Sequence, residues 1–260
     1  MNIIGGHDST GAGDFSAASN ADENGFGEFQ YSPPSGHLAC CSANLPISDD
    51  IDPAQTDDNY PTKQFGVVTY TGNGSSNAIT GLGFQPDFVW TKVRSTTNSH
   101  HLYDSVRGIN SGTSSYYEIY SDLTAAQGAY ANTLTGLNAN GFSVGSAASN
   151  NNSGQSFVAW NWKAAASNAT NNDGTIASTV RASQESGFSV VKWTGSGTNG
   201  DTVGHGLAPA GTSMLVIMKD LGAANDWMVI TNNLWSSPNQ QYLKLNTTAG
   251  VATSGADIYN

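Results

Sequence analysis

FGVVTYTGNGSSNAITGLGFQP, residues 65–86, returns later in the chain as FSVVKWTGSGTNGDTVGHGLAP, residues 188–209. Five pairs coincide at a spacing of 123 residues: Phe65 with Phe188, Gly72 with Gly195, Gly74 with Gly197, Gly83 with Gly206, and Pro86 with Pro209. Within the first copy Phe65, Val67 and Thr69 alternate with Val68 and Tyr70, the period of a strand, before a Gly-Asn-Gly turn. A strand-and-turn unit repeated at fixed spacing reads as tandem β domains.

Outward from this unit the same grammar continues. DFVWTKV (87–93), HLYDSV (101–106), SYYEIYS (115–121), GFSVGS (141–146) and QSFVAWNWK (155–163) are each short, rich in aromatic and β-branched residues, and bounded by turn formers. In the last, Val158, Trp160 and Trp162 share one face and Phe157 and Ala159 the other. LTAAQGAYANT (123–133) has room for a single helical turn. The expected fold is all-β: tandem antiparallel β-sandwich repeats of the jelly-roll or concanavalin-like kind. The first repeat spans 65–165, a Ser/Thr/Asn/Ala-rich junction 166–187, and the second repeat 188–260. Looser echoes continue the match, SMLVIMK (213–219) for DFVWTK (87–92) and QYLKLNTTAG (241–250) for YYEIYSDLTAA (116–126). The counterparts of the late strands of the first repeat fall beyond Asn260. The second repeat is therefore read as incomplete, to be finished by a longer polypeptide or by a strand from a partner.

Composition narrows the function. Charged residues are 11% of the chain, against about 25% in ordinary domains, so few side chains are available for acid–base or metal chemistry. A net charge of −11 opposes phosphate binding and argues against a nucleic-acid partner. Mean hydropathy of −0.32, with no apolar run near eighteen residues, argues against membrane insertion through a helix. The N-terminal sequence MNIIGGHDSTGAGDF lacks the basic and apolar regions of a secretory signal, so synthesis in a reducing cytoplasm is expected. The two cysteines, Cys40 and Cys41, are adjacent, a spacing that disfavours a mutual disulfide; two free thiols, at least one buried, are expected.

Residues 1–46 are rich in Gly and Ser and end in FGEFQYSPPSGHLACCSANLP, where Phe29–Tyr31 suits a strand, Pro33–Gly36 a turn and His37–Ala39 a return segment. Residues 47–64 hold five aspartates (49, 50, 52, 57 and 58) and two prolines without apolar periodicity, an acidic linker. The aspartates lack the alternate spacing, central Gly and terminal Glu of a calcium loop, so no metal is assigned.

The unit YTGNGSSNAITGLGFQPDFVWTKVRSTTNSHHLYDSVRG, with SDLTAA, NANGFSVGS and SGQSFVAWNWKAA after it, resembles a repeat of large virion proteins of marine tailed bacteriophages. GFSVVKWTGSGTNGDTVGHGLAP resembles the companion repeat that follows it there. The opening GGHDSTGAGDF through FQYSPPSGHLACCSANLP is similar to the end of a SPRY-like, concanavalin-type sandwich, here only a remnant over 1–46. Where the companion repeat carries a small-residue turn, this chain has NNLWSSPNQQ (232–241). The resemblance implies a tail-fibre or appendage component located in the virion, with other virion proteins as partners and a homo-oligomer, trimeric by preference. It attaches no catalytic residue and no cofactor.

The residues agree with a non-enzymatic reading. His7, His37, His100, His101 and His205 lie in no hydrolase or metal motif, and His205 stands where the first copy has Leu82. Paired carboxylates, the basis of a glycan depolymerase, would come from Asp87, Asp104, Glu118 and Asp122, yet the second copy has no acid at the counterpart of Glu118. A host-surface glycan would be met by an exposed aromatic ring among amides and hydroxyls. Trp235, in a polar loop beside Pro238, is the binding candidate, while Trp90, Trp160, Trp162, Trp193 and Trp227 are expected in the core. A capsid decoration protein, a depolymerase and a bacterial surface adhesin are the competing readings.

Overall fold

A computed structural model describes residues 20–29, 31–45, 57, 59–208, 214–231, 234–236 and 239–253. The chain divides into two compact units, residues 1–60 and 61–260.

In the first unit the Asp22 carboxylate organises the backbone. It accepts hydrogen bonds from the amides of Asn24 (3.0 Å), Phe26 (2.9 Å) and Ala39 (2.7 Å) and from Asn44 Nδ2 (2.6 Å). Burial pushes this carboxyl up, but the four donors outweigh it and hold it below the ordinary aspartate value. Phe29 bridges to Asn20, and a turn at Ser35–Gly36 closes with His37 donating to Pro34 O; residues 37–39 form no strand. Cys40 is exposed and Cys41 half-buried, both free, so neither is the buried thiol expected. Residues 1–19 and most of the acidic segment lie outside the described residues.

The second unit is the all-β sandwich that the alternation predicts. Its elements are β1 (Phe65–Thr71), β2 (Asn77–Thr80), β3 (Phe88–Val93), β4 (His101–Asp104), β5 (Ile109–Asn110), β6 (Ser115–Tyr116), β7 (Glu118–Tyr120), β8 (Leu134–Asn138), β9 (Gly141–Val144), a one-turn helix α1 (Ala148–Asn151) and β10 (Ser156–Trp162). They are followed by β11 (Ala169–Asn171), β12 (Ser178–Ser183), β13 (Phe188–Trp193), β14 (Leu215–Met218), β15 (Met228–Thr231), β16 (Trp235–Ser236), β17 (Asn239–Lys244) and β18 (Ala252–Thr253). The helical turn falls at 148–151 and not within 123–133.

One sheet runs β1-β10-β3-β4-β7 and a second runs β2-β9-β8, all antiparallel. Between them lies a buried core of Ile79, Val89, Tyr103, Leu134, Phe142, Val144 and Ala159, drawn from both sheets. β10 carries the pattern read from its sequence: Phe157, Ala159 and Asn161 point into the core while Val158, Trp160 and Trp162 stay half-buried on the outer face. Gly66 on β1 leaves room for Leu82, whose Cδ2 would lie 2.7 Å from an added Cβ. Residues 61–64, assigned to the linker by composition, pack onto this sheet, with Lys163 N donating to Gln64 O.

The repeat is conformational as well as sequential. Gly74 and Gly197 have φ of 72° and 75°, and Gly83 and Gly206 both have 74°, left-handed values that other residues rarely adopt. The sheet β14-β15-β17 reproduces the order β3-β4-β7. Residues 166–187, read as a junction, contribute β11 and β12, which pair with β13 in a sheet of their own. Arg181 of β12 ties this sheet to the first repeat through a 2.6 Å ion pair with buried Asp87.

Glycines paired by the repeat differ in what surrounds them. A Cβ on Gly72 would lie 2.2 Å from the Asn152 carbonyl oxygen, whereas one on Gly195 meets nothing within 4 Å. Gly72→Ala is expected to lose about 1–3 kcal/mol through overpacking, and Gly195→Ala to be neutral or gain up to about 1 kcal/mol from a stiffer unfolded chain. Urea denaturation of the two variants checks the contrast.

Candidate functional site

Three places on the second unit could carry function, and the first two follow from the alternation of β3, β4, β7 and β10. The first is the outer face of the five-stranded sheet. Register aligns Val67, Trp160, Trp90, Leu102 and Ile119 in one row across all five strands, with Phe65, Trp162 and Phe88 in the next. Trp90 and Trp160 meet edge-on at 6.2 Å, and Trp162 lies between Phe65 at 4.9 Å and Phe88 at 5.4 Å. The second repeat covers one end of this face. Trp227, Leu221 and Leu245 pack on Leu102 and Ile119, Trp227 Nε1 donates to Tyr120 O at 2.7 Å, and Phe188 stacks on Trp162. At the other end Phe65 remains 38% and Val67 50% exposed beside half-buried Trp160.

The expectation that five tryptophans are core therefore needs correction. Trp227 is buried, but Trp90, Trp160 and Trp162 sit half-covered on the outer face and Trp193 is 39% exposed. Alternation tells which residues share a face; it does not tell how much of that face a later element covers. Trp235, the predicted binding residue, stands on β16 opposite Gln240 of β17, and its side chain lies outside the described residues.

The second place is the inner end of β4 and β7, where parity brings His101, Tyr103, Glu118 and Tyr120 together. Glu118 is 2% exposed. Its Oε2 accepts from Tyr103 Oη at 2.5 Å and lies 3.3 Å from His101 Nδ1, while Oε1 accepts from Tyr120 Oη at 2.5 Å. Asn150 of α1, itself fully buried, donates to Tyr103 Oη at 2.9 Å and Thr91 Oγ1 at 3.2 Å. Burial raises the Glu118 carboxyl, but the bonds from His101, Tyr103 and Tyr120 outweigh it and leave it below the ordinary value. Burial and the neighbouring carboxylate push both tyrosines well above theirs. The sequence singled out Glu118 but not Asn150, which lay in a run of Ser and Asn that reads as loop.

The third place is an open cleft of about 580 Å³ lined by Ser75, Thr113, Ser114, Asn132, Thr135 and Ser146 among other small residues, none of which titrates. Ser114 and Asn132 are the only non-glycine residues with positive φ among the described residues, at 53° and 62°. The other acids named from the sequence hold the fold. Asp87 accepts from Ser105 Oγ, Ala164 N and Arg181; Asp104 pairs with Arg107; and Asp122 accepts from His100 N at 2.9 Å. His100 in turn accepts from Trp90 Nε1 at 3.0 Å, on the face opposite His101. Among the described residues no three His, Cys, Asp or Glu side chains form a metal-binding group, and no helix is long and apolar enough to cross a membrane.

Residues 60–260 match the family model of a domain of unknown function, DUF7483. The chain belongs to the DUF7483 family. Its boundary at Tyr60 coincides with the edge of the second compact unit, so the DUF7483 region takes in both repeats together. No curated protein and no solved structure matches the chain.

Linkage gives the Glu118 cluster a measurable signature. Its folded carboxyl loses its proton more readily than the unfolded one, so the unfolded chain binds more protons as pH falls below the ordinary value of 4.5. Stability is full above that pH and declines below it. The tyrosines act in the opposite sense: held protonated when folded, they withdraw stability as pH rises past 10.0. Glu118→Gln should lose about 1–3 kcal/mol at neutral pH and show a shallower acid limb, read from urea midpoints across pH.

Proposed function

We propose that this chain is a non-enzymatic structural component of a bacteriophage virion, of the tail-fibre or appendage kind. In this reading its β-sandwich repeats assemble with other virion proteins and with further copies of the chain, trimers being favoured. Its exposed aromatic ridge serves assembly or weak attachment to a host-surface glycan. The observation that carries the reading is the pair of partly covered rows, Val67–Trp160 and Phe65–Trp162, on the outer face of the five-stranded sheet. Aromatic rings presented on one face of a sheet and left partly wet suit packing against another chain or stacking on a sugar face. Multivalent display on a symmetric fibre turns weak contacts into firm attachment.

The carboxylates support the absence of catalysis. Asp87, Asp104 and Glu118 are each buried and engaged by donors of the fold, and the open cleft is lined by hydroxyls and amides without an acid or base. A depolymerase needs two carboxyl groups facing a sugar.

The decisive experiment is electron microscopy of intact virions labelled with antibody to the chain. Label on tail appendages is the expected outcome. Label spread over the capsid would favour a decoration protein, and absence from virions would end the proposal. Release of reducing ends from host polysaccharide, abolished by Glu118→Gln or Asp104→Asn, would overturn the non-enzymatic part. Trp160→Ala should weaken oligomerisation or glycan-array binding at least tenfold, a change of about 1.4 kcal/mol. Its loss of stability should be smaller than the roughly 3–5 kcal/mol of Phe157→Ala in the core. Sedimentation and thermal melts separate the two effects.

A further inference from the structure

Backbone conformation singles out one part of the second unit. Among the described residues the chain enters the left-handed region with glycine at thirteen positions and with a side-chain-bearing residue at two, Ser114 at φ 53° and Asn132 at φ 62°. Glycine is at ease there, whereas a residue with a Cβ persists only where its surroundings hold it. Both exceptions are exposed, and both line the same open cleft of about 580 Å³. At each the chain forgoes the glycine it uses elsewhere and keeps a hydroxyl or an amide at the cleft.

The walls of the cleft are fixed by the fold itself. They are the turn after β1 (72–76), the turn between β5 and β6 (111–114), the segment entering β8 and the segment leaving β9. Fully buried Asn151 ties the first wall to the last. Its Nδ2 donates to Asn73 Oδ1 at 2.9 Å, to Gly145 O at 2.8 Å and to Ser75 O, and its Oδ1 accepts from Asn73 N at 3.0 Å. Asn110 Oδ1 shapes the second wall by accepting from the amides of Gly112 (3.0 Å) and Thr113 (3.1 Å). The third and fourth walls touch: Ala147 N donates to Asn132 O at 2.9 Å, and a Cβ on Gly145 would lie 2.6 Å from Asn132 Cα. Walls held in this way lower the ordering cost of binding.

We propose that this cleft binds a neutral saccharide. Every residue lining it is Gly, Ser, Thr or Asn, so it offers no formal charge to an anion or a cation. Serine and threonine hydroxyls both donate and accept, and a carboxamide presents a donor end and an acceptor end; together they match the adjacent hydroxyls of a sugar ring. The net charge of −11 disfavours acidic glycans. The volume falls within the roughly 300–1,000 Å³ of small-ligand sites. The cleft is lined by other residues than those of the aromatic ridge, so the inference holds or fails independently of the ridge and of the virion assignment.

The test is an NMR titration of the isotopically labelled full chain with neutral probes: lactose, maltotriose, diacetylchitobiose and mannobiose. At least one probe should move the amide resonances of Ser75, Ser114, Asn132 and Ser146 saturably while leaving those of Val67 and Trp160 in place. Ser146→Tyr, a substitution at an exposed position that fills the cleft, should abolish the shifts with an unchanged thermal melt. Ser114→Gly removes a side chain and suits its backbone, so it should weaken binding at least about tenfold while leaving the melting temperature unchanged or higher. A lower melting temperature with affinity intact would make the left-handed serine purely structural and overturn the proposal. It is equally overturned if no probe gives saturable shifts at the cleft, or if the shifts are confined to the ridge. Tighter binding of the acidic probe sialyllactose than of lactose at the cleft would overturn it as well.

Discussion

Strand β10 lies between β1 and β3, and the arrangement of the first repeat depends on that placement. Residues 156–162 must travel back across the sheet to pair with residues 65–71 and 88–93 at once. Once they do, parity settles both faces. Ala159 joins the core of Ile79, Phe142 and Val144, with Phe157 and Asn161 buried on the same face, and the tryptophans are turned outward where the second repeat partly covers them. Pairing at this sequence separation is entropically expensive to reach, so it has to be supported by tight turns. The left-handed glycines at 74 and 83 reduce that cost locally.

The scarcity of charge acquires a structural meaning. Of a small set of ionisable residues, Asp87, His101, Asp104, Arg107 and Glu118 are buried, each in contact with a partner. A buried charge without donors or a counter-ion would be costly; the Asp104–Arg107 pair is local, within the turn after β4, whereas His101–Glu118 links β4 to β7 and Asp87–Arg181 links the start of β3 to β12. Asp87 is the clearest case. It ties the start of β3 to the residue after β4, to the chain leaving β10, and to Arg181 of the next sheet. The same engagement that stabilises the sandwich removes these carboxylates from the surface.

Much of this was legible in the residues. The alternation in FGVVTYT and SFVAWNW identified β1 and β10 and the two faces of each, because the period of a strand is written in adjacent residues. The short strands β2, β8, β11 and β12 were not, because Asn, Ala, Thr, Ser and Gly at those positions resemble loop, and only pairing with a neighbour makes them strand. The Glu118 cluster was half visible: the acid could be placed on a strand, but its partner Tyr103 is held by Asn150 from a one-turn helix some thirty residues after Glu118.

Sequence alone determined the all-β class, the 123-residue repeat and the turns that punctuate it, since these follow from local periodicity and from backbone conformations that glycine tolerates best. Tertiary structure decided which aromatic residues are core and which form the ridge, and that Ala169–Asn171 and Ser178–Ser183 are strands of a sheet of their own. Burial is set by what packs against a face, and strand character in such segments by what pairs with them. Both are relations between segments far apart in the chain, and no window of residues contains them.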